Sequence, residues 1–112
     1  MPVPDSSLLN TLRALDGSPQ LTQRELAREL GVSLGKANYC LRALLAKGLV
    51  KAHNFRNSTN KRGYAYLLTP DGVAAKASLT RRFLALKREE YDALRAEIEQ
   101  LQAESETAAK AG

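Results

Sequence analysis

Residues 21–50, LTQRELARELGVSLGKANYCLRALLAKGLV, decide how this chain folds. Thr22 and Glu25 have the S/T-x-x-E spacing of a capping box, in which a hydroxyl and a carboxylate satisfy the first free amides of a helix. Leu26, Ala27 and Leu30 then share one helical face, and Gly31 supplies the left-handed conformation that ends the segment. After a short turn Ser33 is a second N-cap, and Gly48 closes a helix running from about Leu34 to Lys47. Two short helices joined by a tight turn have the plan of a helix-turn-helix.

At about 100° per residue, Ala37, Cys40, Leu41, Leu44 and Leu45 gather on one side of the second helix. Gly35, Tyr39, Arg42 and Ala46 point the opposite way, flanked by Lys36 and Asn38. An outer face that mixes small residues with Lys, Asn, Tyr and Arg suits a DNA major groove: the small residues permit close approach and the others reach phosphates and base edges. An ordinary amphipathic helix with a solvated polar face has the same pattern, so the reading depends on what surrounds it.

Upstream, Asp5 or Ser6 can cap a first helix whose Leu8, Leu9, Leu12 and Leu15 form a stripe, before Asp16-Gly17-Ser18-Pro19 breaks it. This helix should cover the back of the other two. Downstream, LVKAHNF and YAYLLT are β-prone runs separated by the polar RNSTNKRG, which predicts a hairpin with Arg56, Asn57, Lys61 and Arg62 near its tip. A basic hairpin directly after a groove-facing helix is the wing of a winged helix, with its cations over phosphates or the minor groove. Tyr64, Tyr66 and Leu68 alternate with Ala65 and Leu67, as in a strand with one buried face.

Thr69-Pro70-Asp71 starts a further helix, with a hydroxyl cap, proline at the first position and a carboxylate at the positive end of the dipole. Only Gly72, in the first turn, interrupts it before about residue 106, and 107–112 reads as a frayed tail. Leu84, Lys87, Tyr91, Leu94, Ile98 and Leu101 follow heptad spacing, with Leu84, Tyr91 and Ile98 at a and the others at d. Leu79, Phe83 and Leu86 form a second stripe, so this segment should meet its own domain on one side and a partner chain on the other. Glu90 and Glu97 at g face Arg88 and Arg95 at e if two such helices pair in parallel, whereas antiparallel pairing opposes like charges.

Composition bounds the rest. A chain of 112 residues with 44% hydrophobic content builds one small core. The net charge of +5 divides unevenly: residues 1–88 carry 15 Lys/Arg against 5 Asp/Glu, and residues 89–112 carry 2 against 7. A basic body with an acidic extension fits nucleic-acid binding by the first and another task for the second. No membrane span, signal peptide, cofactor motif or metal signature is found, and the expected location is cytoplasmic. The single cysteine, Cys40, falls on the apolar side of its helix and reads as a small hydrophobe rather than a redox switch. His53 has no carboxylate nearby in sequence, and Tyr64 and Tyr66 read as core side chains rather than a stacking platform for single strands.

Taken together, LTQRELARELGVSLGKANYCLRALLAKGLVK, NFRNSTNKRGYAYLLTPDG and TRRFLALKREEYDALRAEIEQL resemble the MarR-type winged-helix transcription regulators, over nearly the whole chain. More narrowly, and most specifically in SLGKANYCL, they resemble the short MarR-like regulators associated with exopolysaccharide gene clusters. The resemblance implies double-stranded DNA binding as a homodimer near polysaccharide biosynthesis genes. It also implies that Lys36, Asn38, Tyr39 and Arg42 face the groove, with Arg56, Lys61 and Arg62 on the backbone. Ser33 and Thr22 are caps that also aim backbone amides at phosphates. Longer MarR proteins have additional terminal helices for which this chain has no room, so a ligand-sensing pocket is not expected.

The sequence therefore predicts a mainly α fold with a small β-hairpin. A winged helix-turn-helix domain occupies residues 1–69 and a long C-terminal dimerisation helix residues 70–106, pairing through Leu84, Tyr91, Leu94, Ile98 and Leu101. A winged-helix protein-interaction adaptor is the alternative. An enzyme is not expected, since the sequence has no phosphate-cradling glycine loop and no nucleophile placed with a base.

Overall fold

Helices α1 (Asp5–Gly17), α2 (Gln23–Leu30) and α3 (Leu34–Ala46) are followed by strands β1 (Val50–Arg56) and β2 (Arg62–Leu68) and by helix α4 (Pro70–Ala111). A computed structural model describes the backbone of residues 3–56 and 62–111, and the side chains of all of these except 54–56 and 62–64. The architecture is mainly helical with one antiparallel hairpin, a winged helix-turn-helix followed by a long C-terminal helix. Two compact units divide the chain, Met1–Leu79 and Thr80–Gly112.

The three-helix body is held by leucines that leave water almost completely: Leu12 and Leu15 from α1, Leu26 from α2, and Leu41 and Leu44 from α3. Burying one such side chain stabilises the fold by about 1.5–3 kcal/mol. Ala14, Ala27 and Ala37 fill the spaces where the helices approach, and Leu30 packs against the same cluster. The one buried polar side chain among the described residues, Thr11, satisfies its hydroxyl within α1 by donating to the Ser7 carbonyl at 2.7 Å.

The expected capping box forms. The Glu25 amide donates to Thr22 Oγ1 at 3.1 Å and the Thr22 amide to Glu25 Oε1 at 3.3 Å, completing the capping box of α2. Gly31 ends α2 at φ 68° and Gly48 follows α3 at φ 72°, both in the left-handed region. The start of α1 differs from expectation. Its N-cap is Pro4, with no side-chain hydrogen bond, and Asp5 is already helical, where its carboxylate lies in the first turn and favours the dipole directly.

The hairpin register runs from Val50 opposite Leu68 to Arg56 opposite Arg62. Tyr66 and Leu68 pack against the core as the alternation predicts, yet Ala65 on the other face is buried as well. The cause is the α1–α2 connection, which runs beside β2: the Tyr66 amide donates to the Pro19 carbonyl at 2.9 Å.

Thr69 ties three elements together. Its amide donates to the Leu49 carbonyl at 3.1 Å, its hydroxyl donates to the Gly48 carbonyl at 2.6 Å, and the same hydroxyl accepts from the Gly72 amide at 3.0 Å. Gly72 is buried here, and a Cβ at this position would collide with the Leu49 carbonyl. Lys76 reaches Asp16 of α1 at 2.7 Å, and Leu79 packs against the core. The body therefore includes the first turns of α4, beyond the boundary at residue 69 drawn from the sequence, because these contacts join residues far apart in the chain.

In the second unit every described residue except Phe83 is exposed, Leu86 included. Of the second stripe, Leu79 belongs to the first unit and packs against its core. The helix also continues to Ala111, past the end expected at residue 106. Alanines at 103, 108, 109 and 111 are strong helix formers, and the Thr107 hydroxyl bonds back to the Ala103 carbonyl at 2.9 Å.

Gly72→Ala should lower unfolding free energy by about 1–3 kcal/mol, since the methyl group meets backbone that cannot rotate away. Gly17→Ala, where a Cβ meets nothing within 4 Å, should change it by less than about 0.5 kcal/mol. Urea unfolding of the two variants checks the contrast.

Candidate nucleic-acid interface

Ser33 starts the critical helix. Its side chain accepts from the Lys36 amide at 3.1 Å, which satisfies one of the orphan donors of α3 and sets the direction of the first turn. From that start Ala37, Cys40, Leu41 and Leu44 turn inward and are buried, Cys40 among them as expected. Leu45 does not join them; it is exposed. Its place is about 90° from the centre of the inward face, at the edge of the stripe rather than within it.

Ser33, Gly35, Lys36, Tyr39, Arg42 and Ala46 are all exposed, and Asn38 is half-buried at the margin. Five residues of the proposed groove-reading set, Gly35, Lys36, Asn38, Tyr39 and Arg42, are thus on one helix with Ser33 as its cap, and Tyr39 is 47% exposed near its centre. α3 contains two cations, Lys36 and Arg42, and no carboxylate. The surface can supply guanidinium, ammonium, amide and phenol donors to phosphate and base edges without an acidic side chain of its own helix opposing the approach of an anion.

Gly35 adds a second kind of information. A glycine inside a helix is destabilising by about 0.5–1 kcal/mol relative to alanine. At Gly35 a Cβ would meet nothing within 4 Å, and the residue is not among the glycines with positive φ. Neither the backbone nor the chain's own side chains require glycine there.

Leu34, which the sequence reading did not single out, is 44% exposed at the first position of the same helix. It falls about 70° from the inward centre, so periodicity alone assigns it to neither face. At the tip of the hairpin, Asn57 and Lys61 and the side chains of Arg56 and Arg62 lie outside the described residues. On β1, Lys51 and His53 are exposed.

The heptad residues of α4 are exposed as a set. Leu84, Tyr91, Leu94, Ile98 and Leu101 range from 47% to 63% exposure. Along the same helix Lys87 Nζ pairs with Glu90 at 3.2 Å and Arg95 Nε with Glu99 at 3.4 Å. These are solvent-exposed pairs, each contributing about 0.3–0.5 kcal/mol to the helix. Among the described residues no group of three or more His, Cys, Asp or Glu could hold a metal ion, and no helix is long and apolar enough to cross a membrane.

Residues 4–51 match a family described as winged helix-turn-helix DNA-binding. This span contains α1, α2 and α3, the helices of the body described above. Among solved structures, the chain is similar to the transcriptional regulator BldR from Sulfolobus solfataricus, at 24% identity and a TM-score of 0.63, covering 75% of this chain and 58% of that one. It is similar to FabT of Streptococcus pneumoniae, solved in complex with DNA, at 24% identity and a TM-score of 0.56, over 76% of this chain and 58% of that one. It is also similar to the apo form of MarR from E. coli, at 28% identity and a TM-score of 0.56, over 68% of this chain and 55% of that one. The fold is thus shared with these proteins, and the chain spans a little over half of their length. A comparison with curated protein sequences gave no match.

Gly35→Ala should raise the unfolding free energy by about 0.5–1 kcal/mol, because the added methyl group improves helix propensity and meets no neighbour. Chemical denaturation monitored by circular dichroism measures the change.

Proposed function

We propose that the protein is a sequence-specific, double-stranded DNA-binding transcriptional regulator that acts as a homodimer. The observation that carries the reading is the outer face of α3: exposed, free of carboxylates, and presenting Lys36, Tyr39 and Arg42 around a glycine that its own fold does not require. In this reading α3 is the recognition helix. Arg42 makes a bidentate contact with guanine and Asn38 with adenine, each worth about 1–3 kcal/mol of discrimination against the wrong base. Ser33 and Lys36 hold the phosphates at the helix start, and Gly35 lets the backbone come close. Arg56, Asn57, Lys61 and Arg62 belong to the wing and track the backbone beside the groove.

A single domain of this size reads few base pairs, and pairing supplies the rest. Leu84, Tyr91, Leu94, Ile98 and Leu101 form the seam of a coiled coil between two copies of α4. Parallel pairing places Glu90 of one chain against Arg95 of the other, so both residues exchange their intrahelical partners for interhelical ones. Two recognition helices would then enter major grooves about 34 Å apart, on half-sites one turn of the duplex away from each other. The regulator acts in the cytoplasm, and the resemblance in SLGKANYCL points to exopolysaccharide biosynthesis genes as its targets.

Selection of bound fragments from a random DNA pool should return a palindromic consensus, and affinity for it should fall steeply with salt. Arg42→Ala should weaken that binding by about tenfold or more. Gly35→Ala should weaken it while making the protein more stable, a combination that misfolding does not produce. Recovery of no enriched sequence, with only micromolar salt-sensitive binding, would favour an adaptor instead.

The double variant Leu94→Asp, Ile98→Asp should sediment as a monomer and bind the palindrome at least tenfold more weakly, while still binding a single half-site as the wild type does. A variant that remains dimeric would place the pairing surface elsewhere.

A further inference from the structure

We propose that Leu34 reads a thymine through its C5-methyl group, one or two base pairs from an adenine held by Asn38; this deepens, and rests on, the duplex-binding reading of α3. Leu34 is the first residue of α3, between the capping Ser33 and the open Gly35, and 44% of it is exposed. Its neighbours on the inward side, Ala37 and Leu41, are buried, so the core is complete without it. A lone exposed leucine is ordinary on a protein surface. What distinguishes this one is its place on the margin that Asn38 shares.

Positions 34 and 38 are separated by about one turn, so their side chains share a flank of the helix, with Cβ atoms about 5–6 Å apart. Successive bases of a strand rise about 3.4 Å. A helix whose N-terminal residues enter the major groove therefore brings Leu34 within two base steps of whatever Asn38 contacts. In that groove thymine alone among the four bases presents a methyl group, while adenine presents the N7 acceptor and N6 donor that an asparagine side chain matches in pairs. Leu34 has no polar atom on its side chain, and the only base-edge group it recognises is that methyl. Gly35 beside it removes the Cβ that would hold the helix backbone away.

The inference assigns a role at a single atom group, and deoxyuridine, which is thymidine without that methyl, isolates it. The experiment uses the full chain and the duplex recovered by selection, with each thymine replaced in turn by uracil. Wild type should lose about three- to fivefold in affinity at one thymine per half-site, the amount expected for burying one methyl group. Leu34→Ala should bind the unmodified duplex three- to fivefold more weakly and show no thymine-over-uracil preference at that position. Asn38→Ala should keep the thymine-over-uracil preference and lose the preference for adenine within two base pairs of it.

Because Leu34 is exposed, the melting temperature of Leu34→Ala should stay within about 2 °C of wild type, so its binding defect cannot be ascribed to unfolding. Equal thymine-over-uracil preference in wild type and Leu34→Ala overturns the assignment while leaving the regulator reading intact. Failure to recover any preferred duplex overturns the regulator reading and this inference with it.

Discussion

One hydroxyl group fixes the junction on which the arrangement of the body depends. Thr69 Oγ1 donates to the carbonyl of Gly48, the residue that ends α3, and accepts from the amide of Gly72, in the first turn of α4. Its backbone amide donates to Leu49 at the base of the hairpin. The end of α3, the base of the hairpin and the start of α4 are therefore connected through a single residue. The close approach of Gly72 to the Leu49 carbonyl leaves no room for a side chain, so any other residue there must displace backbone at this junction. Nearby, the Leu49 amide donates to Leu44 and the Gly48 amide to Leu45, which satisfies the last carbonyls of α3 through a left-handed glycine. A buried helix end without such partners would destabilise the helix that presents Arg42.

Much of this was legible because its causes are local. A capping box is two side chains three residues apart, and both of its hydrogen bonds form. The leucine stripe of α1 needs only helical periodicity, and Leu8, Leu9, Leu12 and Leu15 are all buried. Gly31 and Gly48 end helices for a reason contained in one residue's φ. The readings that failed depend on tertiary neighbours. Gly72 resembles a helix interruption in sequence, whereas its function is to let two segments touch. Ala65 is buried by the α1–α2 connection, whose pairing with β2 through Pro19 leaves no periodic signal. Leu45 and Leu34 both lie at the margins of the apolar stripe, where an angular criterion does not discriminate. The missing cap at Pro4 reflects the ability of an acid in the first turn to replace one at the N-cap.

The candidate interface was legible in composition and only partly in geometry. That Lys36, Tyr39 and Arg42 are exposed follows from their angular distance to Leu41 and Leu44. The significance of Gly35 required coordinates, because only the empty space around its Cα shows that the fold does not need it. Local rules for a stable helix favour alanine at position 35 and a polar residue at 34, and the chain has neither. Departures of this kind collect where a surface serves something outside the molecule. The glycine is the clearer of the two, because the space around its Cα is empty, whereas a single exposed leucine is ordinary on a protein surface.

The seam on α4 bears on how such a protein would respond to concentration. In the proposed dimer, five apolar residues spaced over about two and a half heptads, interrupted by Lys87 at a d position, would form only a short coiled coil, and the flanking ion pairs would contribute little each. Pairing of that strength would be governed by mass action, so free chains would divide between monomer and dimer according to how much protein is present. A palindromic duplex changes the balance: once one domain is seated, the second is held at a high local concentration, and each half-site contact adds to the stability of the pair. By the same linkage, a pair that has already formed binds both half-sites more tightly than two separate domains can. A marginal seam of the proposed kind would therefore make occupancy of DNA a steeper function of protein concentration than a permanent dimer would allow, since assembly and binding would then occur together.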